Sequence, residues 1–407
     1  MTFTLTKTQK ALQKEITQLP HLQYDSIKAN TKFITQILIG KSQLQRQASS
    51  FEYIFNRLET PVAGRWASLL IWMETHTDYE PWGILVKKNG HIVASVVLTR
   101  YRRFGIWRIG RPIGPCADSV GFAALDEHAA EMLAQTIWNT VESFGGPWCM
   151  EIHDLLCPDS VVDYLVKIRT PCKTVLTEPV PHLIFKSGAS LKNYLSQNTR
   201  AVIIKAHHRI QREGIQMVEE WIRDPEQILK LLPKIQEICR QRDYQKFKKS
   251  LMDDTNEESY YIAFMKEYIQ QNLIDLLCIY LNGELAAFAL CLLMNNEYLV
   301  LTNRTSPKWL RYSPGTIANA EVVRHAFESS HINGINWGGG LLRYKLSGDV
   351  TLIPRQSLYV WSSPTVRLIL ILVRYVKYFL QRIHILIRKG FLAIRPNLIA
   401  PSLSETP

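Results

Sequence analysis

Two short stretches in the second half of the chain have residue types and spacing suited to chemistry. Gly338-Gly339-Gly340 follows the apolar run Ile335-Asn336-Trp337, and Arg343-Tyr344-Lys345 comes directly after it. Upstream, Ser313-Pro314-Gly315 opens a stretch in which Ile317, Ala320, Val323, Ala326 and Phe327 recur at helical spacing. His331-Ile332-Asn333-Gly334 ends that helix. A loop feeding a helix start exposes backbone amides, the arrangement that holds a phosphate. This region is the expected functional centre.

The elements that must position it are legible on either side. Ile274–Leu281 alternates toward a buried face and runs into Asn282-Gly283, a pair suited to the positive φ angles of a two-residue hairpin. Glu284–Leu293 returns as the partner strand, and Asn295-Asn296 turns into a third strand ending near Arg304. The same order occurs earlier: a strand from Trp82, the turn Asn89-Gly90, a second strand, a helical stretch Leu125–Phe144, then Gly146-Pro147-Trp148 and a further strand. Thr99 to Arg103 reads as strand, with Trp107 to Arg111 continuing it. Asn89 and Asn282 lie 193 residues apart, and Trp148 and Trp337 lie 189 apart. One Asn-Gly hairpin is common, but the same order at a nearly constant offset indicates a duplicated domain. Residues 1–60 read as polar helices with apolar positions at Phe33, Ile37, Ile54 and Phe55.

Between the halves lies Ser187–Gly214, where Ser190 caps a helix carrying Leu191, Leu195, Val202 and Ile210 on one side and ended by Gly214. Lys192, Arg200, Lys205, Arg209 and Arg212 make its other side basic, either a solvated face or a wall beside an anionic substrate. Two acid-rich helical segments are expected around Glu219–Leu232 and Asp253–Glu267, separated by Cys239–Lys249.

A length of 407 residues suits two domains, and 46% hydrophobic content with ten tryptophans excludes a disordered chain. The seven cysteines include no CxxC pair and read as reduced, buried thiols of a cytoplasmic protein. The first twenty residues lack the apolar core of a signal peptide, and no uninterrupted apolar run is long enough to span a bilayer. The formal charge of +12 favours an anionic partner. Two-thirds of it sits between Asp349 and Glu405, where no acid interrupts Arg355, Arg367, Arg374, Lys377, Arg382, Arg388, Lys389 and Arg395. Residues 365–395 therefore read as a basic amphipathic helix. Either it lies on an anionic membrane surface, or it docks on the domain by its apolar face.

Several enzyme classes are excluded by motif. The chain has no GxxxxGK[ST], HExxH or GxSxG, and the glycine triplet is not the GxGxxG of a dinucleotide fold. His207-His208 has no partner at metal spacing, so no metal site is expected. The basic helices lack an aromatic platform or known motif for nucleic acid, so no DNA partner is expected.

From about residue 50 to 360 the chain resembles the GNAT acyltransferase superfamily, and within it the duplicated FemAB and CelD-like branch (cellulose and exopolysaccharide biosynthesis acetyltransferases). The resemblance is carried by LKNYLSQNTRAVIIKAHHRIQREG, ELAAFALCL, YSPGTIANAEVVRHAF and INWGGGLLRYK in that order. It implies an α/β (α+β) fold of two tandem GNAT-like domains, each a mixed, mainly antiparallel sheet flanked by helices. The expected divisions are 1–180, a degenerate half shaping the acceptor cleft; 181–360, the half with the donor site; and 361–407, the basic tail.

The implied activity is transfer of an acyl group from acetyl-CoA or another acyl-CoA to an amine or hydroxyl of a sugar or cell-envelope precursor. In this superfamily the donor lies where the fourth strand splays from the fifth, with its pyrophosphate on the amides of the next helix. Carried onto this chain, the donor contacts are Asn303, Arg304, Arg311, Tyr312, Ser313, Gly315 and Thr316. The usual Q/RxxGxG/A pattern is represented only by Arg311 and Gly315. A FemAB-type transferase using aminoacyl-tRNA thus stays open, as does a non-catalytic membrane-surface adaptor. Tyr344 is the candidate proton donor to the leaving thiolate, and Lys345 the candidate for steadying an oxyanion or substrate phosphate. Glu321, Asp243 and Asp349 are base candidates, and Arg242, Asp243 and Trp337 are expected near the substrate.

Overall fold

The computed structural model describes residues 32–114, 119–168 and 171–394. Residues 1–31, Cys116 and Arg395 lie outside the described residues. The first half runs β1 (Phe33–Ile39), α1 (Lys41–Arg46), α2 (Ala48–Arg57), α3 (Trp66–Thr75), β2 (Glu80–Lys88), β3 (His91–Arg103) and β4 (Ile106–Gly110). It continues with β5 (Ala123–Ala124), α4 (Glu127–Ser143), β6 (Trp148–Leu156), α5 (Ser160–Ile168) and β7 (Cys172–Ile184). The second half runs α6 (Leu191–Tyr194), α7 (Gln197–Arg212), β8 (Met217–Ile222), α8 (Pro225–Phe247), α9 (Thr255–Gln270), β9 (Ile274–Leu281) and β10 (Glu284–Met294). Then come β11 (Glu297–Thr305), α10 (Pro314–Glu328), β12 (Gly334–Asn336), β13 (Val350–Trp361) and α11 (Pro364–Ile394).

One sheet joins both halves in the order β1-β2-β3-β4-β6-β13-β7-β12-β11-β10-β9-β8, with β5 paired to β3 off this path. Read from either end the order is the same pattern, so β1 corresponds to β8, β2 to β9, and β6 to β12. The last strand of each half is exchanged: β7 pairs with β12 of the second half, and β13 pairs with β6 of the first. β7 and β13 then pair with one another from Val350↔Leu183 to Val360↔Cys172. The expected division at residue 180 falls within β7. The duplicated mixed sheet expected from the resemblance is present, with one parallel pair in each half, β4 with β6 and β11 with β12.

The Asn-Gly turns form as their residue types require. Asn89 and Gly90 have φ of 52° and 85°, and Asn282 and Gly283 have 51° and 77°. Each pair makes the tight hairpin whose twist matches the strands it joins.

On one face of the sheet α2, α3, α8 and α9 share a single core. Phe51, Leu69 and Leu85 from the first half and Ile235, Phe264 and Phe288 from the second belong to it. On the other face the halves keep separate cores. Leu133, Ile137 and Val162 pack under α4 and α5; Ile210, Ile317 and Val322 pack under α7 and α10.

Five expectations need correction. Phe33–Ile39 is not helical but an edge strand on β2, with Ile37 opposite Ile84. Trp107–Arg111 does not continue β3; Phe104 and Gly105, both at positive φ, turn the chain back into β4. Met217–Ile222 is a strand rather than the start of a helix, and Cys239–Phe247 is the last part of α8 rather than a separator. The junction helix breaks at Leu195: Ser190 caps α6, and Ser196 caps α7 afresh by accepting from the Thr199 amide.

Candidate active site

β11 and β12 run side by side for only three residues, Glu297–Leu299 against Gly334–Asn336. β11 goes on to Thr305 without β12, and its far end lines a cavity of about 460 Å³, the size of a small-molecule site. Asn303, Arg304, Ser313, Gly315, Thr316 and Tyr344 line it, with Arg242 and Asp243 of α8. These are eight of the residues picked out from the sequence, brought together from four separate segments. The lining also includes Lys246, Phe247, Phe288, Leu310, Asn319 and Leu342, which the sequence reading missed. Lys246 and Phe247 follow Arg242 and Asp243 by four residues each, so a helical register through this stretch would have put all four on one face. The others carry no signal in the sequence.

Each wall has a physical reason. Ser313 sits at φ 54°, ψ 37°, and no side chain caps α10 there. Pro314 has no N–H, and the Thr316 and Ile317 amides donate to the Ser313 carbonyl at 3.0 and 3.3 Å, which leaves the Gly315 amide for a ligand, at the positive end of the helix dipole. Gly315 is required by proximity: a Cβ on it would lie 2.2 Å from Thr305 Oγ1. The cationic side consists of Arg242, Lys246 and Arg304, against the single carboxylate Asp243. Arg304 Nη2 lies 3.7 Å from Asp243 Oδ1, and Ser250 Oγ donates to Asp243 Oδ2 at 3.1 Å.

Tyr344 is held by a short relay. Its hydroxyl donates to Asn303 Oδ1 at 3.1 Å, and Asn303 Nδ2 donates to Asn319 Oδ1 of α10 at 2.7 Å. Trp337 packs edge-on against the Tyr344 ring at 5.7 Å, so it supports the tyrosine rather than lining the cavity. Burial raises the Tyr344 pKa, with Asn303 and Arg304 opposing, so the hydroxyl keeps its proton. In the first half α5 stands between β6 and β7; the matching place between β12 and β13 is taken by the glycine loop and the turn Arg343–Leu346.

The remaining expected residues lie elsewhere. Lys345 does not line the cavity; its Nζ donates to the carbonyls of Gly338, at 3.3 Å, and Gly339. Burial, then repulsion from Arg304, lowers its pKa to about 8. Arg311 and Tyr312 both bind Glu213 at the end of α7, Tyr312 Oη at 2.6 Å, and neither lines the cavity. Glu321 is on the far side of α10, buried against Trp221 Nε1 at 3.2 Å and paired with Arg324. Asp349 pairs with Lys186 at the surface. Lys192, Lys205, Arg209 and Arg212 are exposed and none lines the cavity, which leaves them a solvated face.

Residues 197–346, which include every residue lining this cavity, match the family model described as an acetyltransferase (GNAT) domain. The chain therefore carries an acyltransferase domain and is an enzyme of that class. Among solved structures it is similar to FemX at 12% identity and TM-score 0.44, covering 79% of this chain and 98% of that one. It is also similar to L-PGS from Bacillus licheniformis, at 12% identity and TM-score 0.45, covering 79% and 95%. A conserved protein of unknown function from Bacteroides thetaiotaomicron is similar at 13% identity and TM-score 0.48, covering 72% and 88%. No curated protein matches the chain.

Proposed function

We propose that the protein moves an acyl group from acyl-CoA to an amine or hydroxyl of a sugar or cell-envelope precursor, with the donor held in the second-half cavity. The observation that carries this reading is the convergence of the uncapped start of α10, three cationic side chains and the protonated Tyr344 hydroxyl on one cavity. The Gly315 amide at the start of α10, Arg304 and Lys246 would hold the donor phosphates. Asp243, the one carboxylate in the lining, would take the proton of the attacking amine or hydroxyl. As the acyl carbon–sulfur bond breaks, Tyr344 would give its proton to the departing sulfur. The first half, which has no counterpart of the Ser313 loop or of Tyr344-Lys345, would shape the acceptor side.

Titration calorimetry with acetyl-CoA tests the donor. Heat is expected with the unaltered protein, weakened about tenfold or more by Arg304→Ala. Tyr344→Phe is expected to keep the heat and lower turnover on the order of a hundredfold. If no acyl-CoA binds, the reading fails. A second reading is favoured by one observation: Arg311, half of the partial pyrophosphate signature, is tied to Glu213 away from the cavity. That favours an aminoacyl-tRNA donor. Loss of activity in extracts after ribonuclease treatment would select it, and survival would reject it.

For the tail, we propose contact with an anionic membrane surface. Val366 and Leu370 dock α11 on Trp361 and Cys149, and Arg374 pairs with Glu151. Apart from these docked residues, Leu368, Leu372, Tyr375, Val376, Phe379 and Leu380 of α11 are exposed. No described helix is long and apolar enough to cross a membrane, so α11 would lie in the interface. Flotation with phosphatidylglycerol vesicles should be lost on deletion of 375–407 and weaken with salt. Equal flotation with neutral phosphatidylcholine vesicles would reject the electrostatic component.

A further inference from the structure

The first half has a cavity of its own, about 320 Å³, which the acyl-transfer reading does not use. It is lined by β4 and β6, which pair in parallel only as far as Ile109 and Met150. Its walls come from both halves: Arg108 and Arg111 on one side, Trp72, Tyr79 and Tyr101 around it, and Glu257 from α9.

Three polar atoms of these residues are buried without a hydrogen-bond partner: Arg108 Nε, Arg111 Nε and Glu257 Oε2. Arg111 is only 8% exposed. It donates to the Gly121 carbonyl and lies 5.6 Å from the Phe122 ring. The acid whose charge it feels is Asp159. That carboxylate is already engaged by the backbone amides of Phe122, Val161 and Val162. Arg108 shares Glu151, 3.6 Å away, with Arg374 of α11. A buried guanidinium without a carboxylate of its own costs stability, as does a buried carboxylate oxygen without a donor. Arg111 Nε and Glu257 Oε2, on groups of opposite sign, are each without a partner, and both residues line the same cavity. In the same lining, Tyr79 stands edge-on to Trp72 at 5.2 Å and to Tyr101 at 4.8 Å. Aromatic faces of this kind attract an ammonium group.

We propose that this cavity is a second binding site, for a small zwitterion of the amino-acid or dipeptide class. Its carboxylate would rest on Arg111 and Arg108, and its ammonium on Glu257 among the rings of Trp72, Tyr79 and Tyr101. The inference needs no donor in the second half, and its test uses none.

The test is calorimetry of the full chain, without any acyl donor, against each of the common amino acids and glycylglycine as probes. At least one probe should bind once per chain. Glu257→Gln and Arg111→Met should each weaken it tenfold or more, while Asn303→Ala in the other cavity leaves it unchanged. Thermal unfolding separates a ligand site from a structural one. Glu257→Gln removes a carboxylate whose Oε2 is buried without a donor, so its Tm should equal or exceed that of the unaltered protein. Arg111→Met also takes the donor from the Gly121 carbonyl and the countercharge from Asp159, so that variant is read by binding alone. No heat from any probe at about 10 mM, where even affinities weaker than millimolar register, would overturn the proposal. So would binding unchanged in both variants, or a fall in Tm in Glu257→Gln.

Discussion

Lys345 carries its amine into a site only 7% exposed, where Nζ meets the carbonyls of Gly338 and Gly339. Burial first, then Arg304 and Arg355, lower its pKa to about 8, with Glu178 opposing. An unfolded lysine titrates near 10.4, so between about pH 8 and 10 the unfolded chain binds more protons at this position. The sign follows: the destabilisation from a charged, buried Lys345 is complete below pH 8 and is relieved as pH rises through that window. The Tm of the unaltered protein minus that of Lys345→Met should be flat below pH 8 and climb between pH 8 and 10. A difference that stays flat throughout would show that the ammonium is not strained. Tyr344 and Lys345 were legible as a pair because they follow a glycine triplet. Their opposite directions were not, since a 3-10 turn sends neighbouring side chains to different surroundings. Glu321 failed as a candidate for a similar reason: it and Asn319 are two residues apart on α10, and such positions do not share a helix face.

At the scale of elements, the approach of α10 to β11 determines whether the cavity has its anion-binding wall. Gly315 and Thr305 meet there, and a methyl group at 315 would overlap Thr305 Oγ1. Gly315→Ala should destabilise the fold by about 1–3 kcal/mol, as overpacking does, and weaken donor binding. Thr305→Ala removes the obstructing oxygen, so the double variant should recover most of both losses. Melting and calorimetry of the single and double variants form the cycle that checks it. Additive losses would mean the contact is not what the glycine serves. The tight turns and α10 were readable because Asn-Gly, Pro and a 3.6-residue period act locally. β1 and β8 were not readable. Phe33–Ile39 is seven residues with polar interruptions, and Met217–Ile222 carries two glutamates, so each is held in the sheet by its neighbour rather than by its own composition.

At the scale of the molecule, the duplication was legible in the spacing of two hairpins and two tryptophans, but the exchange of β7 and β13 was not. Pairing between residues so distant in the chain leaves no local pattern. Its consequence is that neither half closes its own sheet. Removed from the second half, the first would lose β13 from beside β6, and the second would lose β7 from beside β12. The core under α2, α3, α8 and α9 would be cut through, with Phe51 and Leu85 parted from Phe264 and Phe288. The buried bond of 2.9 Å between the Ser68 and Tyr268 hydroxyls would also be lost. Two consequences can be measured. Calorimetric unfolding should show one cooperative transition rather than two, because no boundary exists at which one half could melt alone. A chain cut in the turn at Lys186–Gly188 should yield fragments 1–187 and 188–407 that stay unfolded separately. Mixed and refolded together, they should assemble one to one and regain the full circular dichroism spectrum, since the cut breaks no strand pairing. A native spectrum from either fragment alone would show that the exchanged strands are ornaments on two independent domains.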